Sequence, residues 1–143
     1  MIKEFVEAWN ANKDKLFVHF STHEQIDYDS YEKLVKLLFE IVVNPYLEEH
    51  YNSGYNIDRL HEINDGDYQG TLLYLLPTDE YQPPACHYVA TFVEYGSCSG
   101  CDTLLGISNY DEGMPSEEQV KGYMTLCLNI LQHCKHPFNF EEV

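Results

Sequence analysis

Between residues 60 and 120 the chain contains neither lysine nor arginine, and its 143 residues hold only 8 bases against 24 acids. A protein that grips nucleic acid through phosphates needs clustered Lys and Arg to displace counterions. Direct nucleic-acid binding is therefore excluded over that stretch, and so is attraction to an anionic membrane surface. Long apolar runs are missing too. The longest, near residues 72–76 and 41–43, fall far short of the roughly 20 residues that a membrane helix needs. The opening residues Met1-Ile2-Lys3-Glu4-Phe5-Val6-Glu7 carry two acids and lead into no apolar run, unlike a secretory signal. Cysteine is sparse and odd in number, five at irregular spacing. That pattern predicts reduced thiols rather than a disulfide framework, and a cytoplasmic location. No phosphate-binding loop, dinucleotide fingerprint or zinc-protease motif occurs.

What is present suits one globular unit. Hydrophobic residues make up 44% and aromatics 14%, with 12 tyrosines and 7 phenylalanines to fill a core. A chain of this size can bury such a core without staples, so the expected organisation is a single α+β domain over residues 1–143.

The hydrophobic period divides the chain. Ile2, Phe5, Val6 and Trp9 share one helical face, and Leu16, Phe17 and Phe20 either extend that helix or belong to the next turn. Asp27-Tyr28-Asp29-Ser30 offers cap oxygens ahead of Tyr31, Leu34, Val35, Leu38, Ile41 and Val42, a second helix expected to end or kink at Asn44-Pro45. Three strands are then predicted: residues 57–63, 71–76 and 87–95, the first closed by the turn signal Asp65-Gly66. A short apolar piece follows at residues 103–107. Ser116 and Gln119 are spaced as a capping box for a last helix whose stripe is Val120, Tyr123, Met124, Cys127, Leu128, Leu131 and Cys134. The order α-α-β-β-β-α predicts a three-stranded or slightly larger antiparallel sheet with helices on one face.

Two features carry possible chemistry. The first is charge. The base-free stretch holds eleven acids: Glu62, Asp65, Asp67, Asp79, Glu80, Glu94, Asp102, Asp111, Glu112, Glu117 and Glu118. Such a surplus aids solubility. It equally forms a surface for a basic protein partner, one that itself binds nucleic acid included, with Glu62, Asp65, Asp67, Asp79, Glu80, Asp102, Asp111 and Glu112 as the binding residues.

The second feature is Gly96-Ser97-Cys98-Ser99-Gly100-Cys101-Asp102. Cys-x-x-Cys ahead of a helix is the pattern of a redox dithiol, but a thioredoxin-type fold needs two more strands and a helix than the remaining 40 or so residues supply. The same pair is half of a tetrahedral zinc site. Cys86 and His87 are too distant to complete it, since twelve residues of strand span about 40 Å. Cys127 and Cys134 lie on an apolar stripe, which leaves His133 and His136, with Asp102 as a further oxygen ligand. The glycines also match a nucleophile elbow with cysteine for serine, without the larger parallel sheet that motif requires. The structural alternative is a tight turn with two small thiols packed beneath it. His19 and His23 share a helical spacing, and Asp65-Gly66-Asp67 is only a fragment of a calcium loop.

Asp67-Tyr68-Gln69-Gly70-Thr71 entering one strand, and Tyr95-Gly96-Ser97-Cys98-Ser99-Gly100-Cys101-Asp102 leaving the next, resemble a family of uncharacterised bacteriophage and prophage proteins over residues 57–107. The resemblance carries no catalytic role. It implies a bacterial host cytoplasm, where small acidic proteins work by binding host factors. The functional expectation is thus a non-enzymatic acidic protein that engages a basic host protein, with no cofactor. The alternative is a metal- or thiol-dependent protein, zinc included, centred on Cys98 and Cys101.

Overall fold

In the computed structural model, which describes residues 2–137, the chain is α+β: helices packed against an open, three-stranded antiparallel sheet. Helix α1 (Lys3–Thr22) is one continuous element. Its buried stripe is Phe5, Ala8, Asn12, Leu16 and Phe20, whereas Val6 and Phe17 of the expected apolar face are exposed. Helix α2 (Tyr31–Leu38) starts where Ser30 accepts from Lys33 N–H.

Of the end or kink expected near Asn44-Pro45, the chain shows an interruption of the regular α-helix and no end. Residues Phe39–Val43 widen into a π-helical turn, in which Asn44 N–H donates to Phe39 O five residues back, and α3 (Asn44–Tyr51) continues directly. Pro45 supplies no N–H, and in a regular α-helix its ring would press on the carbonyl four residues earlier. The widened turn absorbs this misfit. Asn12 of α1 donates to Val42 O at 2.9 Å inside that segment, which explains a buried amide on an apolar stripe. The α3 C-cap Asn52 is left-handed, and the Asn44 amide grips both backbone groups of Tyr55 at 2.8 and 2.9 Å.

The strands are β1 (His61–Asn64), β2 (Gly70–Pro77) and β3 (Tyr88–Tyr95), with β2 central. Only the end of the expected first strand is extended. Ile57–Arg59 instead forms a 3₁₀ turn, where the Asn56 side chain caps Asp58 N–H. In the β1–β2 turn Gly66 has no room for a side chain, since a Cβ there would lie 2.1 Å from Gln69 O. One sheet face sends Tyr74, Leu76, Val89 and Val93 into the helical core. The register aligns Ile63, Leu73 and Phe92 across the other face, where Ile63 is exposed.

The short apolar piece after the cysteine loop is a helix, α4 (Thr103–Ser108). Helix α5 (Glu117–Gln132) begins with the expected capping box of Ser116 and Gln119 and buries Val120, Tyr123, Leu126, Cys127, Ile130 and Leu131. Residues beyond α5 close the free edge of β3. Lys135 exchanges both backbone bonds with Ala90, and the His133 and His136 rings bond to the carbonyls of Phe92 and Tyr88. An open edge invites pairing with another chain; this one is occupied. No helix among the described residues is long and apolar enough to cross a membrane.

A buried aromatic cluster joins the two ends of the chain. Phe20 stacks on Tyr123 at 5.4 Å, Tyr28 meets both rings edge-on at 4.9 Å, and Tyr123 donates to Gln25 Oε1 at 2.8 Å. Gln25 in turn holds Gly113 O, so the loop before α5 is tied to the end of α1. Tyr123→Phe strands a buried acceptor and should cost about 1–3 kcal/mol in urea unfolding. Tyr110→Phe, at an exposed ring, should stay within about 0.5 kcal/mol.

Candidate functional site

The cysteine loop runs from the end of β3 to the start of α4, and one carboxylate organises it. Asp102 is the N-cap of α4, accepting Leu105 N–H on Oδ1 at 3.1 Å. The same oxygen accepts the Tyr31 hydroxyl at 2.8 Å, and Oδ2 accepts Gly96 N–H at 2.9 Å. The Tyr31 hydroxyl oxygen in turn accepts Leu104 N–H at 3.1 Å. The start of α2, the exit of β3 and the start of α4 therefore meet on one side chain. Burial, and then the Asp102 carboxylate, push the Tyr31 phenol well above its usual range, so it stays a proton donor. Gly96 completes the fit, because a Cβ there would lie 2.6 Å from Cys101 Cβ.

Within this frame Cys98 O accepts from the N–H groups of Cys101 and Asp102, both at 3.0 Å, which folds the loop into a turn. The turn places Cys98 Sγ 3.0 Å from Cys101 Sγ, and both residues are exposed. The Cys101 thiol, followed by the Gly100 N–H, lowers the Cys98 pKa below the ordinary thiol range; the same contact raises Cys101. The two thiols are thereby made unequal. Cys127 and Cys134 are instead buried, and burial pushes each up to about 12. Those two are core residues.

The histidines suggested as partners of the cysteines do not join them. A carbonyl only accepts, so the bonds to Phe92 O and Tyr88 O require His133 and His136 to donate from Nδ1. The His133 ring also lies flat on Phe92, with centroids 4.2 Å apart. Both rings serve the sheet edge, at positions four residues apart along β3. Among the described residues no group of three or more His, Cys, Asp or Glu comes together to hold a metal ion. His19 and His23 stack on each other at 3.8 Å, beside the end of α1.

The acids are dispersed. Asp102, counted from sequence among the surface acids, is only 6% exposed and is a structural anchor. The other ten acids of the base-free stretch are exposed. Glu62, Asp65 and Asp67 lie on β1 and in the β1–β2 turn, where Glu62 accepts the Tyr74 hydroxyl and Asp65 accepts Thr71 N–H. Asp79 and Glu80 lie past the far end of β2, about 23 Å away along the strand. Glu80 accepts Thr78 Oγ1 and His87 Nδ1, which in that order lower its pKa. Asp111 and Glu112 occupy the α4–α5 loop, which is tied to the end of α1 by Gln25 N–H on Gly113 O and Ile26 N–H on Glu112 O. The ion pairs to lysine among the described residues are Lys3–Glu7, Lys33–Asp29 and Lys36–Glu32. None involves an acid of residues 60–120.

Among the clefts that border the sheet, one of about 370 Å³ lies between β3 and α5, and two others are larger. One, of about 600 Å³, opens at the Asp79–Glu80 end and is lined by Glu48, Cys86, His87 and His136 among others. The second, of about 420 Å³, lies between β2, the start of α2 and α4, over Tyr31, Tyr74 and Asp102. Its carboxylates are already engaged: Asp29 and Glu32 by lysines, Glu62 by Tyr74 and Asp102 by three donors.

No protein-family model, curated protein or solved structure matches the chain.

Tyr31 and Gly96 were not read from sequence as site residues. Tyr31 sits on the apolar stripe of α2, and its hydroxyl role shows only in three dimensions. The signal for Asp102 was present, as an Asp directly before Thr-Leu-Leu is a helix cap. Asp102→Ala leaves Tyr31 and two N–H groups unpaired and should cost about 3 kcal/mol in chemical denaturation, against less than about 0.5 kcal/mol for exposed Asp67→Ala. A thiolate alone alkylates, so the iodoacetamide rate at Cys98 should rise with pH and reach half-maximum below the ordinary thiol range.

Proposed function

We propose that the protein is a non-enzymatic, acidic binding protein whose surface engages a basic protein partner. The observation that supports this reading is that none of the ten exposed acids of residues 60–120 forms an ion pair with lysine or arginine among the described residues, and of the ten only Glu80 pairs with a histidine, His87. Unpaired charge of one sign is a poor use of surface for stability and an effective one for attracting an opposite charge, since a summed field steers encounter. The distribution over both ends of the sheet suits a partner that wraps or straddles the domain. Nucleic acid itself is repelled by the same field, so a nucleic-acid-binding protein would be met through its basic groove. The setting we propose is a bacterial cytoplasm, on the resemblance read from the motifs of residues 57–107.

The test is a pull-down from bacterial lysate with the full chain as bait, followed by native mass spectrometry at low and high salt. The expected result is a stoichiometric basic protein released near 1 M salt, where the screening length falls to about 3 Å. Neutralising Asp67, Asp79 and Glu112 together as Asn, Asn and Gln should weaken that complex about tenfold, at a few tenths to 1 kcal/mol per exposed charge. Recovery of no partner, or of one indifferent to both salt and the triple variant, would contradict the proposal.

A further inference from the structure

We infer that Cys98 and Cys101 form a reversible thiol–disulfide exchange site, whose substrate is an accessible disulfide, preferentially a cationic one. The inference stands on the geometry of the loop and is independent of the partner-binding reading.

Four observations carry it. The sulfurs are 3.0 Å apart and face each other in the open. The Cys101 N–H to Cys98 O bond makes the four residues a hydrogen-bonded turn, whose ends lie within about 7 Å. That span is compatible with a disulfide, so bridging needs the sulfurs to close by only about 1 Å. The turn is held from outside itself, by Asp102 on Gly96, Leu105 and Tyr31, so the cysteines are not needed to build it. Finally, the cysteines that do serve packing in this protein, Cys127 and Cys134, are buried, as structural thiols are. A purely structural turn at Cys98 and Cys101 would be served equally by serine.

The chemistry balances without a cofactor. The Cys98 thiolate attacks one sulfur of the substrate disulfide; that S–S bond breaks, and the first substrate thiolate leaves and takes a proton from water. Cys101 then loses its proton to solvent and attacks Cys98 Sγ, expelling the second substrate thiolate, which takes a proton from solvent in turn. Two protein thiols are oxidised to one disulfide, and one substrate disulfide is reduced to two thiols. The Cys101 thiol and the Gly100 N–H both face Cys98 and favour a thiolate there, so Cys98 attacks first and Cys101, 3.0 Å away, completes the exchange. The preference for a cationic substrate follows from the formal charge of −16, which concentrates cations near the surface and repels anions.

The experiment incubates the reduced full-length protein with cystamine, a cationic disulfide, and in parallel with oxidised glutathione, an anionic one, at low and high salt. Peptide mass spectrometry follows each cysteine. The expected result is an intramolecular Cys98–Cys101 bridge with both reagents, formed at least about tenfold faster with cystamine at low salt and at nearly equal rates at high salt. Cys101→Ser should trap the mixed disulfide on Cys98. Cys86, exposed just before the start of β3 whereas Cys98 follows its end, is the internal control and should react more slowly than Cys98. Failure of the wild-type protein to form the bridge with either reagent would overturn the inference. So would modification of Cys86 at the rate of Cys98. Equal low-salt rates for the two reagents would overturn the charge preference.

Discussion

The carboxylate of Asp102 is the constraint on which the functional half of the molecule depends. A buried charge is tolerated only where donors replace its water, and here three converge: the Tyr31 hydroxyl and the N–H groups of Gly96 and Leu105. Because these belong to α2, the exit of β3 and α4, a single side chain sets how the helical layer meets the sheet. The cysteine loop between Gly96 and Asp102 is closed at both ends by the same residue. Its cysteines can therefore be exposed and still hold one shape.

Charge is partitioned along the same line. Five of the eight bases, Lys3, Lys13, Lys15, Lys33 and Lys36, lie in the first two helices, and three of them pair there with Glu7, Asp29 and Glu32. The sheet and the α4–α5 loop carry acids without bases. The sheet edge that such a layer would otherwise leave open is closed by backbone and histidine bonds after α5 rather than by a charged side chain. Apart from the His87–Glu80 pair, the acids of the anionic half have no ion-pair partner among the described residues, and their field is available to whatever approaches it.

Where local pattern and local chemistry coincide, the sequence was legible. The capping box at Ser116, the cap at Ser30, the central strand between Gly70 and Pro77 and the α+β class follow from neighbours a few residues apart. The misreadings have a common cause in tertiary compensation. Pro45 normally ends a helix, but a π turn absorbs its missing N–H and Asn12 of another helix supports the segment. Ile57 has strand-like neighbours, yet the Asn56 side chain turns the chain instead. The piece after Cys101 is too short to show a helical period, and only its cap identifies it. The site was legible in part. The proximity of Cys98 and Cys101 follows from their spacing, whereas the roles of His133 and His136 at the sheet edge depend on how β3 meets the chain after α5, which no local pattern encodes.

Amide hydrogen exchange on the wild-type protein tests the Asp102 anchor most directly. If that carboxylate organises the loop, the Gly96 and Leu105 amides should exchange as slowly as amides of β2 and open together with them, while Ser97 and Ser99 exchange rapidly. Exchange of Gly96 and Leu105 at the rate of Ser97 and Ser99 would mean that the loop is not held by Asp102, and the geometry attributed to Cys98 and Cys101 would fall with it.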